Sequence, residues 1–233
     1  MSEKEDFDID SLAAYLHLSP QQVMRMADRA KLPGRKVGGQ WRFAQAEIHH
    51  WLEERIGASD EEELVEVEDV LQRDNPGMET SAMIELLPPE AIEIPLIART
   101  HRSVISGMAE VAARTGLLWD PEKMAEAVRM RESLHPTALD SGVALLHPRR
   151  PLPNILAQTF VALGRTHQGI PFGGGALTDI FFLICSTSDV EHLRILARLS
   201  RLVAAPGFVE GLRNADDAAA AAAWLTEFES TLQ

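Results

Sequence analysis

The chain has 233 residues, room for two domains, and its 45% apolar and 24% charged residues describe a globular protein, not a disordered one. A single cysteine, Cys185, excludes a disulfide scaffold or a multi-thiolate zinc site; the lack of an apolar run near roughly 18 residues argues against membrane insertion. The net charge of −13 is uneven: −1 over residues 1–57, −8 over 58–80 and −4 over 81–233. Screening confines exposed charges to about 8–10 Å, so this excess does not exclude nucleic acid as a partner of the first segment.

The N-terminus is acidic and lacks an apolar signal core, so the expected compartment is the cytoplasm. Asp10 is a candidate cap for a first helix with Leu12, Tyr15 and Leu16 on one face. Ser19-Pro20-Gln21-Gln22 then reads as cap, first helical position and capping box of a second helix that buries Val23, Met26, Ala27 and Ala30. Gln22, Arg25 and Arg29 fall on its opposite face, where amide and guanidinium groups reach phosphates or base edges. Arg35 to Phe43 predicts a β-hairpin turning on Gly38-Gly39, with Trp41 and Phe43 inward and Lys36 and Arg42 flanking the tip. Ile48, Trp51, Leu52 and Ile56 mark a closing helix. His49-His50 is not a metal pair, because adjacent helical side chains diverge and no carboxylate or thiolate pattern accompanies them. From Arg25 to Arg42 there are six basic residues and one acid, Asp28.

Leu12-Ala13-Ala14-Tyr15-Leu16, Leu18-Ser19, Lys31-Leu32-Pro33, Val37-Gly38, Trp41-Arg42-Phe43 and Trp51-Leu52 resemble the excisionase-type winged helix-turn-helix domain over about residues 8–56. The resemblance implies DNA binding, the second helix in a major groove and the wing on the backbone. The competing reading is a helix-turn-helix reused for protein contact. One small winged domain calls for a homodimer on paired half-sites.

Residues 58–85 read as an acidic linker, in which Leu64, Val67 and Leu71 allow a short helix. From residue 86 to 233 the pattern becomes helices alternating with apolar strands, an α/β domain. Val104, Ile105, Met108, Val111 and Ala112 form one helical stripe; Met124, Ala127 and Val128 mark a helix delivering Arg131-Glu132. Val143–Leu146 is a short strand ending in His147. Thr159–Phe172 is expected to be a hairpin turning near Gly169, Ile180–Cys185 a buried strand, and the apolar helix that follows begins near His192. Ala218 to Phe228 predicts a packed C-terminal helix. Gly173-Gly174-Gly175 lacks the Gly-Lys-Ser/Thr of a phosphate loop and is a connection. No cofactor is expected.

His147 follows a strand, where a side chain faces a cleft; His192 stands near a helix start, which favours anions; Arg131 offers a fixed positive charge. A neutral imidazole with an exposed nitrogen is a competent phosphoryl acceptor. Spacing alone does not bring these residues together.

Arg131-Glu132-Ser133-Leu134-His135-Pro136-Thr137 and Gly142-Val143-Ala144-Leu145-Leu146-His147 are similar to the active-site segment of enzyme IIA of the phosphotransferase system, in its mannitol/fructose and nitrogen-regulatory class. Gly169-Ile170-Pro171-Phe172, Ile180–Ile184, Glu191-His192-Leu193 and Leu196-Ala197-Arg198-Leu199 fit the same family. The resemblance implies a mixed sheet flanked by helices. It implies that His147 is phosphorylated by a histidine phosphocarrier protein, with His192 as second active-site histidine, Arg131 as active-site arginine and Thr137 supporting the loop. The family has proline before the active histidine; here Leu146 stands there and Pro148 follows, which alters how His147 is presented.

The leading expectation is a nitrogen-regulatory IIA-like protein that couples histidine phosphorylation to DNA binding and transcription. Two others stay open: a phosphocarrier of a sugar phosphotransferase system with an adaptor module, and a non-phosphorylated contact regulator.

Overall fold

The computed structural model describes residues 6–16, 18–44, 47, 48, 51, 82–173 and 175–231. The chain divides into two compact units, Met1–Gly77 and Met78–Gln233. The acidic stretch through residue 81, the pair His49-His50, and Leu52 and Ile56 of the closing helix lie outside the described residues.

In the first unit, β1 (Asp6–Phe7), α1 (Ile9–Tyr15), α2 (Pro20–Asp28), β2 (Arg35–Val37) and β3 (Gln40–Ala44) follow in order, with the sheet ordered β1-β3-β2. Asp8, not Asp10, caps α1. Its carboxylate accepts from the Ser11 amide (2.8 Å), and Ser11 Oγ accepts from the Asp8 amide (2.9 Å). The position three residues after the cap decides the choice, because Ser11 closes the box from Asp8. The second box is as expected: the Gln22 amide donates to Ser19 Oγ (3.2 Å) and Ser19 N–H to Gln22 Oε1 (2.8 Å). The helix stops before Ala30, which is exposed, not buried, at a φ of +53°. Between β2 and β3 the pairing of Val37 with Gln40 leaves Gly38-Gly39 as a two-residue loop, with φ of +59° and +82°. Positive φ at both positions is the hairpin turn whose twist matches the strands, and glycine adopts it without a Cβ clash. Leu12, Val23, Ala27, Leu32, Phe43 and Ile48 form the small core.

The second unit is a mixed sheet flanked by helices. Its elements are β4 (Ile92–Glu93), α3 (His101–Ala113), α4 (Pro121–Glu132), β5 (Val143–Leu146), β6 (Phe160–Pro171), β7 (Leu177–Cys185), α5 (Asp189–Ala204), α6 (Phe208–Asn214) and α7 (Ala218–Thr231). The strand order is β4-β6-β7-β5, with the outer pairs parallel and β6–β7 antiparallel. Residues 82–85, part of the acidic stretch by sequence, include the start of a 3-10 turn (Met83–Leu86) whose Met83 is fully buried.

Side chains alternate across a strand, so β5, β6 and β7 each feed two cores. Ala144 and Leu146, Phe160 and Ala162, and Phe181, Leu183 and Cys185 join the α3 and α4 stripes on one face. Val143 and Leu145, Val161 and Leu163, and Ile180, Phe182 and Ile184 are buried on the other, the face against which α5 packs. Burial on both faces is why Ile180–Cys185 is continuously apolar.

The expected hairpin within Thr159–Phe172 is one long strand, and the turn lies between Pro171 and Leu177. Glycine in β6 serves close packing, not reversal. A Cβ at Gly164 would lie 2.5 Å from Met108 Sδ, and one at Gly169 2.7 Å from Leu177 Cβ.

Candidate functional site

β5 and β7 run parallel, so their carboxyl ends open on the same edge of the sheet, the edge where ligands settle in α/β folds. His147 follows β5 with the parity of Val143 and Leu145, and its ring turns towards α5. His192 is the fourth residue of α5. The two rings meet edge to face, with centroids 5.0 Å apart and planes at 62°.

His147 Nδ1 lies 2.8 Å from the carbonyl oxygen of Leu145. A carbonyl only accepts, so the ring proton sits on Nδ1 and, in the neutral imidazole, the lone pair is on Nε2. His192 Nδ1 is 3.1 Å from Ser186 Oγ, just past the end of β7. Ser188 caps α5, and Glu191 Oε2 collects hydroxyl protons from Thr159 (2.8 Å), Thr187 (2.9 Å) and Ser188 (2.9 Å). That cluster fixes the first turn of α5 and with it the His192 backbone.

Both rings are nearly buried, at 2% and 3% exposure. The exposed acceptor nitrogen expected from sequence is therefore absent in this conformation. The parity that brings His147 to His192 also turns it under the helix. Leu146, in place of proline, pairs with Leu183 as the last residue of β5, so the strand continues regularly up to the histidine.

Arg131 lies in the last turn of α4, at the helix end as expected, but its described hydrogen bond is structural: Nη1 donates to the His135 carbonyl at 2.7 Å. Thr137 donates through Oγ1 (2.5 Å) and N–H (3.2 Å) to the Glu132 carboxylate. Burial pushes the Glu132 carboxyl above the usual range; the Thr137 bonds partly offset this. Ser186 was not singled out from the sequence, and Glu132 and Glu191 were given no role there. Glu132 was visible only as the neighbour of Arg131, and the other two gain meaning once the strand ends meet.

In the first unit, Gln22 and Arg25 on α2 and Arg29 at its C-terminal cap are exposed, opposite Val23 and Ala27. Gln22 Oε1 is committed to the cap, which leaves its amide N–H groups for a partner. Arg25 Nε donates to the Gln21 carbonyl (3.3 Å). The wing is less basic than its sequence. Lys36 sits 4.9 Å above the half-buried Trp41 ring and 3.8 Å from Asp28, while Arg35 pairs with Asp6 at 2.7 Å. Arg42 Nη2 donates to Gln40 Oε1 (3.3 Å). The Ser11 bonds hold the Asp8 carboxyl below the usual carboxylate range, and Arg42 adds a smaller pull. Asp8, Asp10 and Asp28 line a groove with Lys36, Trp41 and Arg42.

Residues 85–227 match the family described as phosphoenolpyruvate-dependent sugar phosphotransferase system, EIIA 2. The chain belongs to this enzyme IIA family. Residues 7–56 match a helix-turn-helix domain family. A nitrogen regulatory protein of Bradyrhizobium diazoefficiens is 32% identical over 142 residues, covering 58% of this chain and 89% of that protein. A multiphosphoryl transfer protein of Vibrio cholerae is 31% identical over 136 residues; the match covers 58% of this chain and only 33% of that longer protein. The crystal structure of nitrogen regulatory protein IIA-Ntr from Neisseria meningitidis superposes with a TM-score of 0.55 at 23% identity, covering 62% of this chain and 99% of that one. That likeness is one of fold. Among the described residues, no helix is long and apolar enough to cross a membrane.

Proposed function

We propose that the enzyme IIA unit accepts a phosphoryl group on His147 from a histidine phosphocarrier protein, and that this state regulates DNA binding by the helix-turn-helix unit in the cytoplasm. The observation that carries the reading is the Leu145 carbonyl on His147 Nδ1, which reserves Nε2 as the nucleophile beside His192. In the transfer, the donor's N–P bond breaks with its electron pair returning to the donor imidazole. A new N–P bond forms at His147 Nε2, while the proton stays on Nδ1, donated to the Leu145 carbonyl. His192 and Arg131 are assigned to the phosphoryl oxygens and Thr137 to the loop. Modification places a phosphoryl dianion on a ring that keeps its Nδ1 proton, so the site gains net negative charge, enough to change a contact made by the unit. Gln22, Arg25, Arg29, Lys36 and Arg42 are assigned to DNA, with a homodimer spanning two half-sites. The nitrogen-regulatory branch is favoured over a sugar carrier because the unit is joined to a helix-turn-helix.

Burial of both rings favours a second reading, a contact regulator that is not phosphorylated. Phosphoenolpyruvate, enzyme I and the phosphocarrier are supplied to wild type and His147→Ala, and intact mass is read at mildly alkaline pH. One acid-labile phosphoryl group on wild type alone supports the first reading. No phosphate on folded wild type, with a donor proven active, establishes the second.

A further inference from the structure

Glu132 takes no part in the phosphoryl step, yet it is 5% exposed and both its oxygens are directed at one residue. Thr137 Oγ1–H donates to Oε1 and Thr137 N–H to Oε2. From the α3 side, His101 Nε2 lies 3.8 Å from Oε2, its ring stacked on Phe172 with centroids 4.1 Å apart.

From Thr137 the connection continues along the main chain. Leu145 N–H donates to the Thr137 carbonyl (3.4 Å), the Ala138–Ala144 bridge follows, and Leu139 N–H donates to the Val143 carbonyl (2.8 Å). Residues 137–139 therefore form a ribbon along the outer edge of β5. The Gly142 turn closes one end of it, where the Gly142 amide donates to the Leu139 carbonyl (3.0 Å). Glu132 holds the other end. The carbonyl of Leu145, whose amide is in this ribbon, is the group that accepts from His147 Nδ1.

We infer that Glu132 is a positioning residue for His147: by clamping Thr137 it fixes the ribbon, and so the Leu145 carbonyl that keeps the ring proton on Nδ1. A neutral side chain would fill the same volume without the desolvation cost of a buried carboxylate. What the carboxylate adds is two charge-assisted bonds to one residue, stronger and shorter than neutral ones. The consequence for phosphoryl transfer rests on the reading of His147 given above; the tautomer does not.

The test uses the full chain with 15N-labelled histidine rings. Two-bond proton–nitrogen spectra report the His147 tautomer, with His147→Ala supplying the assignment, and phosphoryl acceptance is timed on the same samples. Glu132→Ala moves His147 to a mixture of tautomers and slows acceptance about tenfold or more, as small displacements of a reacting group do. Glu132→Gln keeps an acceptor for the Thr137 amide and a donor for its hydroxyl, but at neutral strength, and restores the Nδ1–H form in part. Thr137→Val removes one bond and shifts the tautomer partway, which decides the matter if Glu132→Ala does not fold. A His147 that stays in the Nδ1–H form in folded Glu132→Ala or Thr137→Val overturns the inference. Wild type that never accepts phosphate from a proven donor overturns the phosphoryl reading instead, while the tautomer comparison still decides the role of Glu132.

Discussion

Glu229 on the C-terminal helix accepts from both Nε (2.9 Å) and Nη2 (2.8 Å) of Arg198 on α5, and the same carboxylate takes the Met83 amide at 2.9 Å. One buried group thus ties the last helix, the helix that carries His192, and the first turn of the second unit. Removing one partner of a buried pair leaves the other charge uncompensated, which costs about 3–5 kcal/mol. Glu229→Ala should lose that much in denaturant unfolding. A loss below about 1 kcal/mol, the range of exposed pairs, would show that water reaches the site.

Gly211 on α6 lies against Trp224 on α7. An added Cβ would sit 1.9 Å from the indole ring, whose Nε1–H donates to the Phe208 carbonyl (3.0 Å). Helix propensity alone favours alanine over glycine by up to ~1 kcal/mol. Overpacking works against it by about 1–3 kcal/mol or more. Gly211→Ala is therefore expected to lower the thermal midpoint and alter tryptophan fluorescence. A stabilised variant would mean that the two helices part easily.

Glu132 should leave a mark on the pH dependence of stability. Burial raises its carboxyl above the ordinary value of 4.5, so the folded protein holds this proton more tightly than the unfolded chain. Its contribution is full below 4.5 and falls away as pH rises through the folded value. Relative to Glu132→Gln, wild type is expected to lose stability from about pH 4.5 upward, then level off. Melting both proteins across that window measures it; parallel curves contradict the buried, proton-binding carboxyl.

On the helix-turn-helix unit, Arg25→Ala and Arg42→Ala should each weaken DNA binding and reduce the salt slope by roughly one per lost phosphate contact. Gel-shift titrations over a salt series give both quantities. Unchanged affinity and slope would remove the helix and wing from the interface.

Asp28 tests the sign of the wing. It lies 3.8 Å from Lys36, with both side chains about half exposed, so the pair contributes little to stability. Asp28→Asn should leave the melting curve in place while strengthening DNA binding at low salt, because Lys36 is freed for phosphate. Weaker binding would indicate that Asp28 holds Lys36 in a useful position.

The sequence determined what depends on neighbours within about four residues. The Ser19–Gln22 box, the Gly38-Gly39 turn, the Val143–Leu146 strand and the stripe of α3 were all legible, because cap, turn and periodicity are local. Even there, Asp8 displaced Asp10 once the reciprocal bond from Ser11 was counted. The glycines of β6 misled, because a residue without a side chain signals a turn locally and a close packing partner tertiarily. His147 and His192 were named as residues, but their meeting was decided by strand parity, the parallel pairing of β5 with β7, and the seat of α5 on one face. The same geometry buried them. Glu132 on Thr137, Asp28 beside Lys36 and Glu229 on Arg198 acquired partners only in three dimensions, since a side chain's charge is written in the sequence but what it faces is not.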